Sequence, residues 1–110
     1  MATRALQEAT LLVLTALSRG SQHGYGIITD VQQISGGQLE IQQGSLYPAL
    51  YRLEHQGWIS SEWGESENNR KAKFYQLTAA GRKQLRAESE KWNRMAGLIG
   101  SILSIKADQV

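Results

Sequence analysis

Between Gln43 and Arg52 the chain sets amide, hydroxyl and cationic side chains among small residues: Gln43, Gly44, Ser45, Tyr47, Pro48, Tyr51 and Arg52. Tyr47 and Tyr51 are four positions apart, so on a helix their hydroxyls share one face. Hydroxyls and the amides of a helix end orient a protein on a phosphate backbone, and cations supply affinity by displacing condensed counterions. Cations follow further on. Arg70, Lys71, Lys73, Arg82, Lys83 and Arg86 lie in a stretch free of Asp and Glu. The formal charge of the whole chain is only +2, so attraction to an anionic partner must come from such a local segment.

Other chemistries find no residues to carry them. The chain has no cysteine, which removes disulfides, thiolate metal sites and cysteine nucleophiles together. Its two histidines, His23 and His55, are far apart in sequence and lack a carboxylate pair at ligand spacing, so no metal is expected and His23 reads as a cap or packing residue at a helix start. Neither a glycine-rich phosphate loop nor a nucleophile elbow nor a pair of catalytic carboxylates is present, so neither an enzyme nor a cofactor is expected. The N-terminus lacks the pattern of a signal peptide and no apolar run reaches membrane length, which makes the cytoplasm the expected compartment and excludes a membrane partner from the reading.

The elements that must position the candidate residues follow from periodicity. With 110 residues, 41% of them hydrophobic, the chain can build one core. Residues Thr3 to Ser18 carry Leu6, Ala9, Val13, Leu14 and Leu17 at helical spacing, and Leu11 and Leu12 widen the apolar surface enough to suggest a second covering partner. After a turn at Gly20 to His23, Tyr25, Ile27, Ile28, Val31 and Ile34 mark a second helix that Gly36 and Gly37 end. Gly24 and Gly26 weaken its first turn, as they would where another backbone must come close. In the third helix Leu46, Ala49, Leu50 and Leu53 form the core stripe, with Ser45, Pro48, Tyr51, Arg52 and His55 opposite. Pro48 is reconciled with this helix by starting it near Gln43 or Gly44, where the first amides lack intrahelical partners. Gly57 closes it. Two alternating strands follow, one carrying Ile59, Ser61 and Trp63, the other Lys73, Tyr75 and Leu77, and Thr78 caps a last helix. That helix repeats Leu85, Trp92 and Ile99 every seven residues, with Met95, Ala96, Ile102 and Leu103 beside them, more apolar surface than one small domain covers. Residues 106–110 read as a tail.

Three helices, a hairpin and a long helix make a mainly α fold, a winged helix-turn-helix over residues 1–78 followed by a dimerisation helix over 79–110. The runs His23 to Ile27, Gly44 to Glu54, Gly57 to Ile59 and Lys73 to Thr78 resemble the PadR family of transcriptional regulators over residues 5 to 90, and the helix-three run with its proline differs from MarR-type proteins. The resemblance, to the compact subgroup with a single C-terminal helix, implies a homodimer bound to double-stranded operator DNA, usually as a repressor, and released by a ligand or signal. DNA contacts are expected from Gln43, Gly44, Ser45, Tyr47, Pro48, Tyr51 and Arg52 and from Arg70, Lys71 and Lys73 on the wing, with Gln42 and Arg82, Lys83 and Arg86 as weaker candidates. Because Glu62, Glu65 and Glu67 flank the wing, its contact is expected on the side of Arg70, Lys71 and Lys73. The dimer seam is expected from Leu6 and Val13 in the first helix and from Leu85, Trp92, Met95, Ile99, Ile102 and Leu103 in the last. Trp92, with Met95 beside it, is the expected stacking site for a small aromatic effector. A winged helix that binds protein instead of DNA is the alternative; it would expose an apolar patch where this chain has hydroxyls and cations.

Overall fold

The computed structural model describes residues 3–105, with side chains from residue 9 onward. The order is α1 (Thr3–Ser18), β1 (Gln22–His23), α2 (Gly24–Ile34), α3 (Gln43–His55), β2 (Ile59–Glu65), β3 (Lys71–Leu77) and α4 (Ala79–Leu103). Val13, Leu14 and Leu17 of α1, Ile27 and Val31 of α2, and Leu46, Leu50 and Leu53 of α3 form one core with Ile41, Ile59 and Tyr75. Burying each large aliphatic side chain contributes about 1.5–3 kcal/mol, so the three short helices hold one another and the root of the sheet.

The sheet is three-stranded and antiparallel, in the order β1-β3-β2. The hairpin is as expected, but Gln22 and His23, read as part of a turn, form a short strand against Tyr75 and Phe74 of β3. Two residues are too few to show an alternating pattern; the free edge of β3 recruits them. α3 begins at Gln43 as expected, yet the reason offered for tolerating Pro48 does not hold. Pro48 is the sixth residue of the helix, beyond the amides that lack partners, so it deprives the Gly44 carbonyl of its usual donor.

Helix α3 ends in a left-handed glycine. Gly57, at φ +78°, lets its own amide bond Glu54 O at 3.0 Å and the Trp58 amide bond Leu53 O at 3.1 Å, the Schellman pattern. Thr78 then joins three elements. Its amide donates to Trp58 O, its hydroxyl donates to Gly57 O at 2.7 Å, and the same oxygen accepts from the Gly81 amide to cap α4. Gly81 is the one buried residue of α4, seated on the Trp58 carbonyl. Leu85 still touches the core, but from residue 90 onward the described helix is exposed throughout, which stretches the molecule to 63 × 28 × 27 Å.

One expected contributor to a dimer seam changes status. Val13 is fully buried among its own chain's core residues, because this face of α1 packs on α2, α3 and the sheet, so its side chain has no surface left for a second chain. The side chain of Leu6 lies outside the described residues. Leu12, too, packs on this chain's own core.

A methyl group at position 81 would overlap the Trp58 carbonyl, backbone that cannot move aside without shifting α4. Gly81→Ala should therefore destabilise the fold by about 3 kcal/mol. Gly44→Ala, where a methyl meets open space in a helix, should instead gain about 0.5–1 kcal/mol. Urea unfolding of both variants checks the pair.

Candidate nucleic-acid interface

Between the outer face of α2 and the hairpin runs an open groove of about 960 Å³. Its helical wall carries Tyr25, Thr29 and Gln33, one turn apart on α2, and its other wall is the wing with Trp63, Arg70, Lys71 and Lys73. Tyr47 reaches in from α3. Its ring sits against Gly24, where an added Cβ would be 2.9 Å from the phenol oxygen and 3.2 Å from the ring. The close approach that glycine permits at the start of α2 is thus made by an aromatic side chain, not by another backbone. Tyr75 forms part of the floor; burial first, then the neighbouring Glu54 and Tyr47, push its phenol above the ordinary value, so it stays neutral.

His23 closes the groove at the N-terminus of α2. Its Nδ1 accepts the Gly26 amide at 3.0 Å, and its ring meets Phe74 edge-on at 5.4 Å, so one side chain caps the helix and touches the wing strand. The cations are less free than their sequence suggests. Lys73 Nζ lies 3.7 Å from Glu54 and 5.9 Å above the Tyr75 ring, and Asp30 on the α2 wall is neutralised by Arg19 at 3.1 Å. Lys71 stands directly across from Glu65 in the hairpin register, and paired residues point to the same face. The expected separation of wing acids from wing bases is therefore overturned for this pair.

Residues 13–87 match the profile of the transcriptional regulator PadR-like family, the span from α1 through the hairpin into α4. The chain belongs to the PadR-like family of transcriptional regulators. A protein of Streptomyces fradiae described as an uncharacterized 37.1 kDa protein in transposon TN4556 is 39% identical over 92 residues, 84% of this chain and 25% of that protein. The chain thus spans a quarter of that relative's length. Among solved structures, a transcriptional regulator from Clostridium thermocellum superposes with a TM-score of 0.80 at 24% identity, covering 96% of this chain and 98% of its own. A PadR family transcriptional regulator from Eggerthella lenta gives 0.74 at 27% identity, with 94% and 90% covered.

In this PadR-like regulator the groove brings together four of the candidate residues, Tyr47, Arg70, Lys71 and Lys73. Gln43, Gly44, Pro48, Tyr51 and Arg52 lie exposed on α3 outside it, with Ser45 half-buried beside them. Tyr51, 76% exposed, stacks on His55 with the rings 6.4 Å apart and nearly parallel. The sequence reading missed the α2 wall and Trp63. Tyr25, Thr29 and Gln33 did carry a signal, since they recur every four residues opposite Ile27 and Val31. Trp63 stands in the run Ser61-Glu62-Trp63-Gly64-Glu65 with no apolar neighbour, which marks it as a strand residue outside the core.

Loss of the His23 cap tests how the groove is held. His23→Ala should lower stability by about 1 kcal/mol, and His23→Asn, which restores a side-chain acceptor, should recover most of it. Thermal unfolding of the two variants distinguishes capping from simple loss of bulk, which would leave both equally impaired.

Proposed function

We propose that this regulator binds operator DNA as a homodimer, with the duplex lying against the exposed face of α3 and the wing. The observation that carries this reading is the continuity of two surfaces. The outer face of α3, with Gln43, Gly44, Ser45, Pro48, Tyr51 and Arg52, adjoins through Tyr47 a groove whose far wall ends in Arg70 and Lys71. A helix and a hairpin arranged in this way place hydroxyls and helix-end amides on one stretch of phosphate and cations on another. Occupancy of a promoter by such a dimer would exclude polymerase, and repression is the mode we assign.

The support for a second copy comes from α4. Trp92, Met95, Ile99 and Ile102 recur at spacings of three and four along its outer half, with Leu98 and Leu103 flanking them. Their exposure runs from 48% at Ile99 to 78% at Leu103. A contiguous apolar strip of this kind on a helix that has left its own domain is covered by a like strip from another chain. Leu85 stays with its own core. Trp92 and Met95 would lie within that seam, where an indole face is available to a planar aromatic effector.

Two measurements follow. Arg70→Gln and Lys71→Gln should each flatten the dependence of log K on log salt by roughly 0.9 for any duplex, since each removes one phosphate contact. An unchanged slope in the double variant would take the wing tip out of the interface. Ile99→Glu should leave the helix content of the chain intact and convert a dimer to a monomer in sedimentation; a dimer that persists would place the seam elsewhere.

A further inference from the structure

On the wing, β2 and β3 turn a common face toward the groove, and that face changes character rung by rung. Directly paired residues share it: Ile59 with Leu77, Ser61 with Tyr75, Trp63 with Lys73, and Glu65 with Lys71. The inner rungs are core, with Ile59 and Tyr75 buried. At the Ser61 rung, Glu54 at the C-terminal end of α3 comes against the sheet and accepts the Ser61 hydroxyl with one carboxylate oxygen. Its other oxygen holds Lys73. The Lys73 side chain consequently bends inward, over the ring of Tyr75 two residues along its own strand and away from the hairpin tip.

At the next rung outward, then, both side chains line the groove, but the ammonium lies inward over the Tyr75 floor and leaves the indole beside it uncovered. Trp63 is 69% exposed on a strand that beyond Ile59 otherwise carries only Ser, Glu and Gly, and it lines the groove that Arg70 and Lys71 flank. One exposed aromatic needs no explanation by itself. Here it occupies the rung between the core and a tip where Arg70 and Lys71 stand among Glu65 and Glu67, and the cation that could have covered it is held aside. We infer that Trp63 is a DNA contact of a different kind from its neighbours, an apolar one made to the deoxyribose face of the backbone, and that Glu54 exposes it by drawing Lys73 off the duplex. This rests on the DNA-binding reading above. Lys73 is then a positioning residue, in place of the phosphate contact its sequence context suggests.

The contact has a signature that cations cannot imitate. An indole displaces no counterions, so its removal lowers affinity without altering the salt slope. The probe is a mixed-sequence duplex about three helical turns long, because a sugar contact needs no particular bases. Trp63→Ala should weaken binding about tenfold with the slope unchanged. Lys73→Gln should also leave the slope unchanged, whereas Arg70→Gln, measured in parallel, should lower it by roughly 0.9. In the intact chain labelled with 5-fluorotryptophan, the fluorine resonance lost in Trp63→Phe identifies Trp63, and that resonance should shift when duplex is added. Wild-type affinity in Trp63→Ala, or an unmoved Trp63 resonance in the bound state, overturns the contact. A slope lowered in Lys73→Gln as much as in Arg70→Gln overturns the sequestering of Lys73. If the unaltered protein binds no duplex at all, the DNA-binding reading itself fails, and this inference with it.

Discussion

The carbonyl of Trp58 fixes how the pieces of this molecule meet. It accepts the Thr78 amide on one side and receives the bare Cα of Gly81 on the other. The end of α3, the root of the wing and the first turn of α4 are thereby gathered within a few residues of one another. A side chain at position 81 would force them apart, and a chain without the Thr78 hydroxyl would lose both the tie to Gly57 and the cap of α4. The angle between α3 and the hairpin, on which the shape of the groove depends, is set first at this junction. Glu54 sets it a second time, one turn back along α3, through Ser61 and Lys73. Individually, such partly exposed polar links contribute little to stability. Their effect is geometric, because they join the same two elements at two separate points.

Charge in the groove is balanced pair by pair, not accumulated. Asp30 answers Arg19, Glu54 answers Lys73, and Glu65 faces Lys71 across the hairpin. A chain with a formal charge of +2 is therefore not weakly basic everywhere; on the hairpin Glu62, Glu65 and Glu67 match Arg70, Lys71 and Lys73 in number, while along α4 Arg82, Lys83, Arg86, Lys91 and Arg94 outnumber Glu88 and Glu90. Fields of that kind act over about a Debye length, roughly 8 Å at physiological ionic strength, and so orient a partner only at short range. Aromatic rings fill what the charges leave open, with Tyr25, Tyr47 and Trp63 around the groove and Tyr75 beneath it.

Much of the architecture was legible from spacing. Apolar periodicity located all four helices, the apolar stripe of α3 is the buried one, and Thr78 caps α4. What escaped was whatever depends on partners distant in the chain. β1 has two residues and exists only because β3 offers an edge. Lys73 reads as a free cation until folding brings it to Glu54, nineteen positions earlier. Val13 looks like any other residue of an amphipathic stripe, and nothing local reveals that its side chain is enclosed by its own chain. Pro48 shows that a correct boundary can rest on a faulty reason: α3 starts where expected, yet tolerates the proline well inside. The family resemblance rested on four short runs, His23 to Ile27, Gly44 to Glu54, Gly57 to Ile59 and Lys73 to Thr78, which here meet around the groove and the Trp58 junction.

The long last helix also has a mechanical meaning. It is clamped at one end, where Gly81 bears on the Trp58 carbonyl, and its outer half is exposed along its described length. Twenty-five residues make a rod of about 37 Å, and a tilt of about 10° at the clamp swings the far end through roughly 6 Å. Run in reverse, with the outer half gripped and the domain left to move, the same rod turns a shift of an ångström or two in the grip into a visible change in where the wing points. The fulcrum is a glycine closed against backbone, so the place where this lever turns is fixed by the contact between Gly81 and the Trp58 carbonyl.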